Sequence, residues 1–363
     1  MTLAVGDWVE VRSREEILAT LDENGRLDEL PFMPQMFQYC GRRLQVIARA
    51  HKTCDVIAGE GRRVSEAIHL DTRCDGQAFG GCQASCLLFW KQAWVKRVAA
   101  DPDAATTQAV RRSSEVSSGT AQISAGCTED DVWRATRTLD HSSGETVYFC
   151  QATRVPYFTS PLPWWDVRQY VEDYTSGNMS LRSLVSGALY QSYNHATQAW
   201  RYKAGRPGRW LYDRLQRARQ GIPFPNKAGT LPPNSPAPTS ELNLRAGELV
   251  RVKTYEEILE TITSGGMNKG LLFDKEMVPF CGKTFRVRAC VTTFVDERTG
   301  RLATLKTPAV ILEGVWCQSR YSNKKMFCPR ALYSWWREVW LERVADQPIS
   351  DDVAATQDLD QAK

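Results

Sequence analysis

Histidine is scarce in this 363-residue chain, which has only four, and long apolar runs are absent. No stretch approaches the roughly 18 residues needed to cross a bilayer. The longest candidate, residues 86–90, is far too short. The opening residues carry no basic n-region and meet Asp7 and Glu10 at once, so no secretory signal is expected. A lipidation box is missing from the last residues as well. Charge of one sign is also lacking: 46 basic and 42 acidic side chains leave a net +4. That balance excludes a histone-type polyelectrolyte but leaves room for a local basic patch. No GxGxxG or Walker A motif is present. His141 and His195 have no Ser or Cys elbow around them, so no nucleophile–base pair is legible. The expectation is a cytoplasmic protein with no membrane segment, where thiols stay reduced.

Two residue types are abundant instead, with 12 Trp and 11 Cys. The chain also repeats itself. Gly6-Asp-Trp-Val-Glu-Val11 returns as Gly247-Glu-Leu-Val-Arg-Val252, and Glu15-Glu-Ile-Leu18 as Glu256-Glu-Ile-Leu259. Phe32, Met36, Cys40-Gly41 and Val46 match Phe273, Met277, Cys281-Gly282 and Val287, all at an offset of 241 residues. Further on, Cys74 faces Cys317, Cys82 faces Cys328, Trp90 faces Trp336 and Trp94 faces Trp340. A register this constant requires both halves to share one fold.

That fold reads as α+β. Val9–Val11 alternates as a half-buried strand, Glu15–Leu21 is a short helical turn, Gly41 turns the chain into the strand Leu44–Val46, and Trp94–Val98 closes the module. The Gly-Asp-x-Val-x-Val opening and the Cys-Gly-Arg-Arg-Leu-Gln-Val run resemble SH3-like small β-barrels, the class that includes KOW-type modules. The resemblance covers about half of each repeat and implies a duplicated pair of barrels. The full pattern also resembles a family of bacterial proteins from which no activity carries over. The expected organisation is a first module over 1–100 and a linker over 101–127. A mainly helical middle over 128–220 and a Pro-rich linker over 221–241 follow. A second module over 242–345 and a disordered tail over 346–363 complete it. Within the middle region, Thr128–Asp131 has the form of a capping box. Gly205-Arg-Pro-Gly208 reads as a turn between two helices.

The first repeat concentrates metal-ligand types. Cys74, Cys82 and Cys86 lie in one glycine-containing run, with Cys54 in a His51-Lys-Thr-Cys54 spacing and His69 nearby. A helical turn from Gln83 would place Cys82 and Cys86 on one face. Four thiolates at Cys54, Cys74, Cys82 and Cys86 suit tetrahedral zinc or an iron–sulfur cluster, and zinc also accepts His51 or His69. A cluster would open a redox or sulfur-handling role; zinc would be structural. The alternative is that these are small buried residues packing a core. The second repeat keeps Cys317 and Cys328 as further candidate ligands, but Cys86 becomes Leu332. Cys127 and Cys150, outside the repeats, are better placed in a core than as caps of a cluster.

One stretch is both basic and aromatic. Arg201, Lys203, Arg206, Arg209, Arg214, Arg217 and Arg219 interleave with Trp200, Tyr202, Trp210 and Tyr212. Cations neutralise phosphates and aromatics stack on bases, so a nucleic-acid partner is the second functional reading. The blander alternative is a solvated helix with Leu211 and Leu215 facing the core.

Overall fold

The computed structural model describes residues 2–99, 126–218, 222–322 and 324–344. The 101–127 linker up to residue 125, the 346–363 tail and Arg219 lie outside the described residues. Helices and antiparallel sheets alternate through the rest, an α+β architecture.

Each repeat builds a five-stranded antiparallel sheet. In the first, the spatial order is Leu87–Lys91, Ala67–Arg73, Arg43–Arg49, Trp8–Val11, Val95–Arg97. In the second it is Tyr333–Trp336, Leu302–Trp316, Thr284–Val295, Leu249–Val252, Leu341–Arg343, the same order strand for strand. Registers correspond too: Val9 opposes Leu44 and Val250 opposes Phe285. Each first strand runs into a short helix, Arg14–Leu18 or Tyr255–Leu259, capped by Ser13 or Thr254 with Glu16 or Glu257 closing the box.

The shared apolar positions form two equivalent cores. Val9, Val11, Ile17, Met36 and Val46 are buried in the first, and Val250, Val252, Ile258, Met277 and Val287 in the second. Phe32 meets Trp94 edge-on with ring centroids 5.1 Å apart; Phe273 meets Trp340 likewise at 5.4 Å. Both indoles donate to a threonine, Trp94 to Thr20 at 3.1 Å and Trp340 to Thr261 at 2.8 Å. Burying a Trp without a partner for its N–H would leave a costly orphan donor, so the threonine repeats with the tryptophan.

The middle region carries the capped helix Glu129–Arg134 and the hairpin Arg137–Asp140 with Glu145–Tyr148. The strand Thr159–Pro161 and the helices Arg168–Thr175 and Leu181–Ala218 follow. The last of these corrects the expected turn at 205–208. The backbone stays helical through Pro207, whose missing N–H removes one hydrogen bond from a helix of 38 residues.

The repeats exchange arms. In the first, the hairpin Lys52–Asp55 with Glu60–Val64 breaks from its sheet at residues 50–51 and 65–66 and pairs with Thr159–Pro161. It lies against residues 324–330 of the second repeat: the Lys52 ammonium donates to the Met326 carbonyl at 2.9 Å. In the second repeat the equivalent hairpin is continuous with its sheet, and its far end returns the contact. Thr292 and Thr293 donate through their backbone N–H groups to the Gln83 side chain, at 2.7 and 3.0 Å. The Gln83 N–H donates to the Thr293 carbonyl at 3.0 Å.

Candidate functional site

The arms bring the cysteines into two groups. Cys74, Cys82 and Cys86 of the first repeat and Cys150 of the middle region line one cavity of about 40 Å³, with Met33, Phe79, Glu297 and Arg330 among its other walls. Gly76 shapes the loop that holds the first two. Its φ is +75°, and a Cβ there would stand 1.8 Å from the Cys82 carbonyl oxygen, so only glycine lets the loop close. Residues 82–86 are irregular, not the expected helical turn, and Ser85 has φ 52°. The reason is that Gln83 spends its N–H and side chain on the arm of the second repeat. Cys74 Sγ accepts from the Gln35 amide at 3.1 Å, and Cys82 Sγ from the Val295 N–H at 3.3 Å. Burial, and then the neighbouring Cys86, Cys150 and Cys82, push the Cys74 thiol well up. Burial also raises Cys86 and Cys150.

Cys54 stands elsewhere. It rides on the 52–64 arm and meets Cys328, with which it shares a hydrogen bond, and Cys317 lies close to both. The Cys328 hydrogen bond, with Arg330 and Lys325, outweighs burial and holds the Cys54 thiol down at about 6. Cys328 is raised, first by burial and then by Cys54. Arg330 sits between the two groups. It is buried, donates to the Cys54 carbonyl at 2.9 Å and pairs with Glu297 at 2.8 Å, while also walling the four-thiol cavity.

Neither candidate histidine lines that cavity. His69 is fully buried in the first sheet, with Nδ1 against the Leu88 carbonyl at 2.8 Å and its ring on Phe89. Burial holds its pKa down at about 4, so it is neutral at pH 7. His51 belongs to a buried network with Asp173, 3.2 Å from its Nε2, and Asp173 in turn takes the Lys52 ammonium at 2.5 Å. Lys52 also faces the rings of Tyr170 and Phe327. This network ties the first repeat's arm to the middle region and the second repeat. Among the described residues, no three His, Cys, Asp or Glu side chains surround one point closely enough to hold a metal as they are placed.

Sequence reasoning thus grouped Cys74, Cys82 and Cys86, which do meet, and added Cys54, which the structure pairs with Cys328. It undervalued Cys150 and missed Arg330, Lys325 and Glu297. The one legible signal for the pairing was that Cys54 has no cysteine counterpart at its repeat position, Val295.

On the long helix Arg209, Arg214 and Arg217 are exposed, as is Trp210, over which the Arg214 guanidinium lies at 5.4 Å. Tyr212 is buried against Phe224, and Leu211, expected in the core, is 51% exposed. The helix therefore turns inward at Tyr212 and not at Leu211, and the side chain of Leu215 lies outside the described residues. The side chains of Arg201, Lys203 and Arg206 lie outside the described residues. Among the described residues, no helix is long and apolar enough to cross a membrane. Compared with known protein families, curated proteins and solved structures, the chain matches none.

Proposed function

We propose that the chain is a metal-binding protein built on two SH3-like modules, and that its centre is the cavity walled by Cys74, Cys82, Cys86 and Cys150. The observation that carries this reading is the convergence of four thiols, three from one run of the first repeat and one from the middle region, on one small cavity. Four thiolates around one ion are a closed structural zinc site, with Zn–S distances of about 2.3 Å. Rotation about Cα–Cβ is the freedom by which the sulfurs would close on such an ion. The SH3-like assignment is supported by the five antiparallel strands in one order twice over, the last entered in each repeat through a 3-10 turn.

Elemental analysis of the purified protein tests the proposal. The expectation is about one zinc per chain, with loss in Cys86→Ser and in Cys150→Ser and retention in Cys54→Ser. Because a structural metal is coupled to folding, chelation should lower the unfolding midpoint. Zinc retained in a Cys86→Ser/Cys150→Ser variant would sink the proposal, and iron with acid-labile sulfide would replace zinc by a cluster. The exposed Arg209, Arg214, Arg217 and Trp210 favour a second reading, a salt-sensitive contact with single-stranded nucleic acid along the long helix.

A further inference from the structure

The crossing of the 52–64 arm onto the second repeat has a counterpart in the other direction, and at the junction the two differ by a cysteine in place of a valine. By the 241-residue register, Cys54 corresponds to Val295, and by the later alignment Cys328 corresponds to Cys82. Val295 packs in the first core and its N–H reaches Cys82 Sγ; Cys54 reaches Cys328. The same junction is therefore made twice, and only one copy places two sulfurs face to face. Both are buried, Cys54 4% and Cys328 6% exposed, and neither lines the four-thiol cavity. The charged and titratable groups around them are Arg330, Lys325 and Glu297 beside Cys54, Lys52 beside Cys328, and Cys317 beside both. Lys52 is paired with Asp173 and Arg330 with Glu297, so Lys325 adds the further positive charge beside the two sulfurs.

We propose that Cys54 and Cys328 form an oxidisable pair, in which Cys54 attacks a hydroperoxide and Cys328 resolves the product into a disulfide. In the first step the Cys54 thiolate sulfur attacks one peroxide oxygen. An S–O bond forms, the O–O bond breaks, and hydroxide leaves to be protonated by solvent. The sulfur is oxidised to a sulfenic acid and the peroxide is reduced. In the second step the Cys328 sulfur attacks the sulfenic sulfur. The S–S bond forms, the S–O bond breaks, and the Cys328 proton leaves with the hydroxyl as water. The sum is two thiols and one hydrogen peroxide giving one disulfide and two waters. The roles follow from the surroundings: the Cys328 S–H donates to Cys54 and, with Arg330 and Lys325, holds it as the thiolate, while Cys328 stays protonated until attack. A hydroperoxide is scarcely larger than water, which suits so closed a site. The disulfide would join the arm of the first repeat to residues 324–330 of the second.

The test treats the full-length protein with one equivalent of hydrogen peroxide, quenches with an alkylating reagent and maps linked peptides by mass spectrometry. The expected first product is the Cys54–Cys328 peptide. Its formation rate should rise with pH and level off below the ordinary thiol range, because Cys328, Arg330 and Lys325 hold the Cys54 thiol down. In Cys328→Ser the reaction should stop at a sulfenic acid on Cys54, trapped by dimedone. A first disulfide among Cys74, Cys82, Cys86 and Cys150 overturns the proposal, as does the absence of any linked peptide from the native wild-type chain or a rate that ignores pH. The wild-type mapping needs no variant to fold. Metal content measured on the same sample should not change on oxidation, which keeps the outcome separate from that of the zinc site.

Discussion

Gln35 and Glu276 occupy the same place in the two repeats and serve their cysteines differently. Gln35 donates to Cys74. Glu276, 5% exposed, accepts from the backbone N–H groups of Arg320 and Tyr321 at 3.0 and 2.6 Å, and lies beside Cys317. Burial overrides those hydrogen bonds and pushes its pKa from 4.5 up to about 7. The folded chain then keeps a proton that the unfolded chain has released, so stability falls as pH rises from about 4.5 to about 7 and levels off above. The upper bound of the effect is about 3 kcal/mol. Glu276→Gln should remove this slope, at a fixed penalty of about 1–3 kcal/mol for the N–H left facing an amide NH₂. Urea unfolding of both proteins across this range measures it; a difference between them that does not change with pH contradicts the assignment. The repeat alignment marks position 276 as a substitution of acid for amide. It does not reveal that the acid is buried, since burial comes from loop 319–321 folding over it.

At the scale of elements, local chemistry was the reliable guide. The capping box expected at Thr128 starts a helix, and Ser13 and Thr254 carry the same device, because a cap acts on the next three residues only. Gly41 and Gly282 adopt φ of +73° and +76°, as a turn before each second sheet strand requires. Pro207 misled, because a single proline is outweighed by the rest of a long helix, and so did residues 82–86, whose backbone is claimed by the other repeat. The arm of the first repeat rests on a contact that a pattern could not mark. A Cβ on Gly61 would lie 3.1 Å from the Lys324 carbonyl oxygen and 3.2 Å from that of Leu162, both backbone atoms. Gly61→Val should therefore lift the arm, lower stability by about 1–3 kcal/mol and slow formation of the Cys54–Cys328 disulfide. Thermal unfolding together with peptide mapping checks this. A variant as stable as the parent, and as quickly linked, would show that the arm does not depend on that approach.

At the scale of the whole molecule, each repeat contributes an arm to the other, so neither surrounds its thiols alone. The buried Lys52–Asp173 pair spans the first repeat and the middle region, and Lys52 reaches the second through Met326. Removing one partner, as in Asp173→Ala, would leave the other charge buried and uncompensated, at about 3–5 kcal/mol. The described residues should accordingly unfold in one step, with tryptophan fluorescence and far-ultraviolet circular dichroism changing together. A fragment of residues 1–99, lacking the second repeat and the middle region, should not reach the native near-ultraviolet signature. Two separated transitions, or a folded fragment, would show the repeats to be independent. By itself the sequence determined the duplication, the strand and cap positions, the two tryptophan cores and the cysteine-rich character of the chain. These rest on residue periodicity and on interactions a few residues long, which repeat wherever the residues repeat. Which sulfur meets which was decided only by the tertiary structure. Cys54 joins Cys328 and Cys150 joins Cys74, Cys82 and Cys86 because arms and a middle segment distant in sequence close on one another, and no local pattern encodes the partner of a long-range contact.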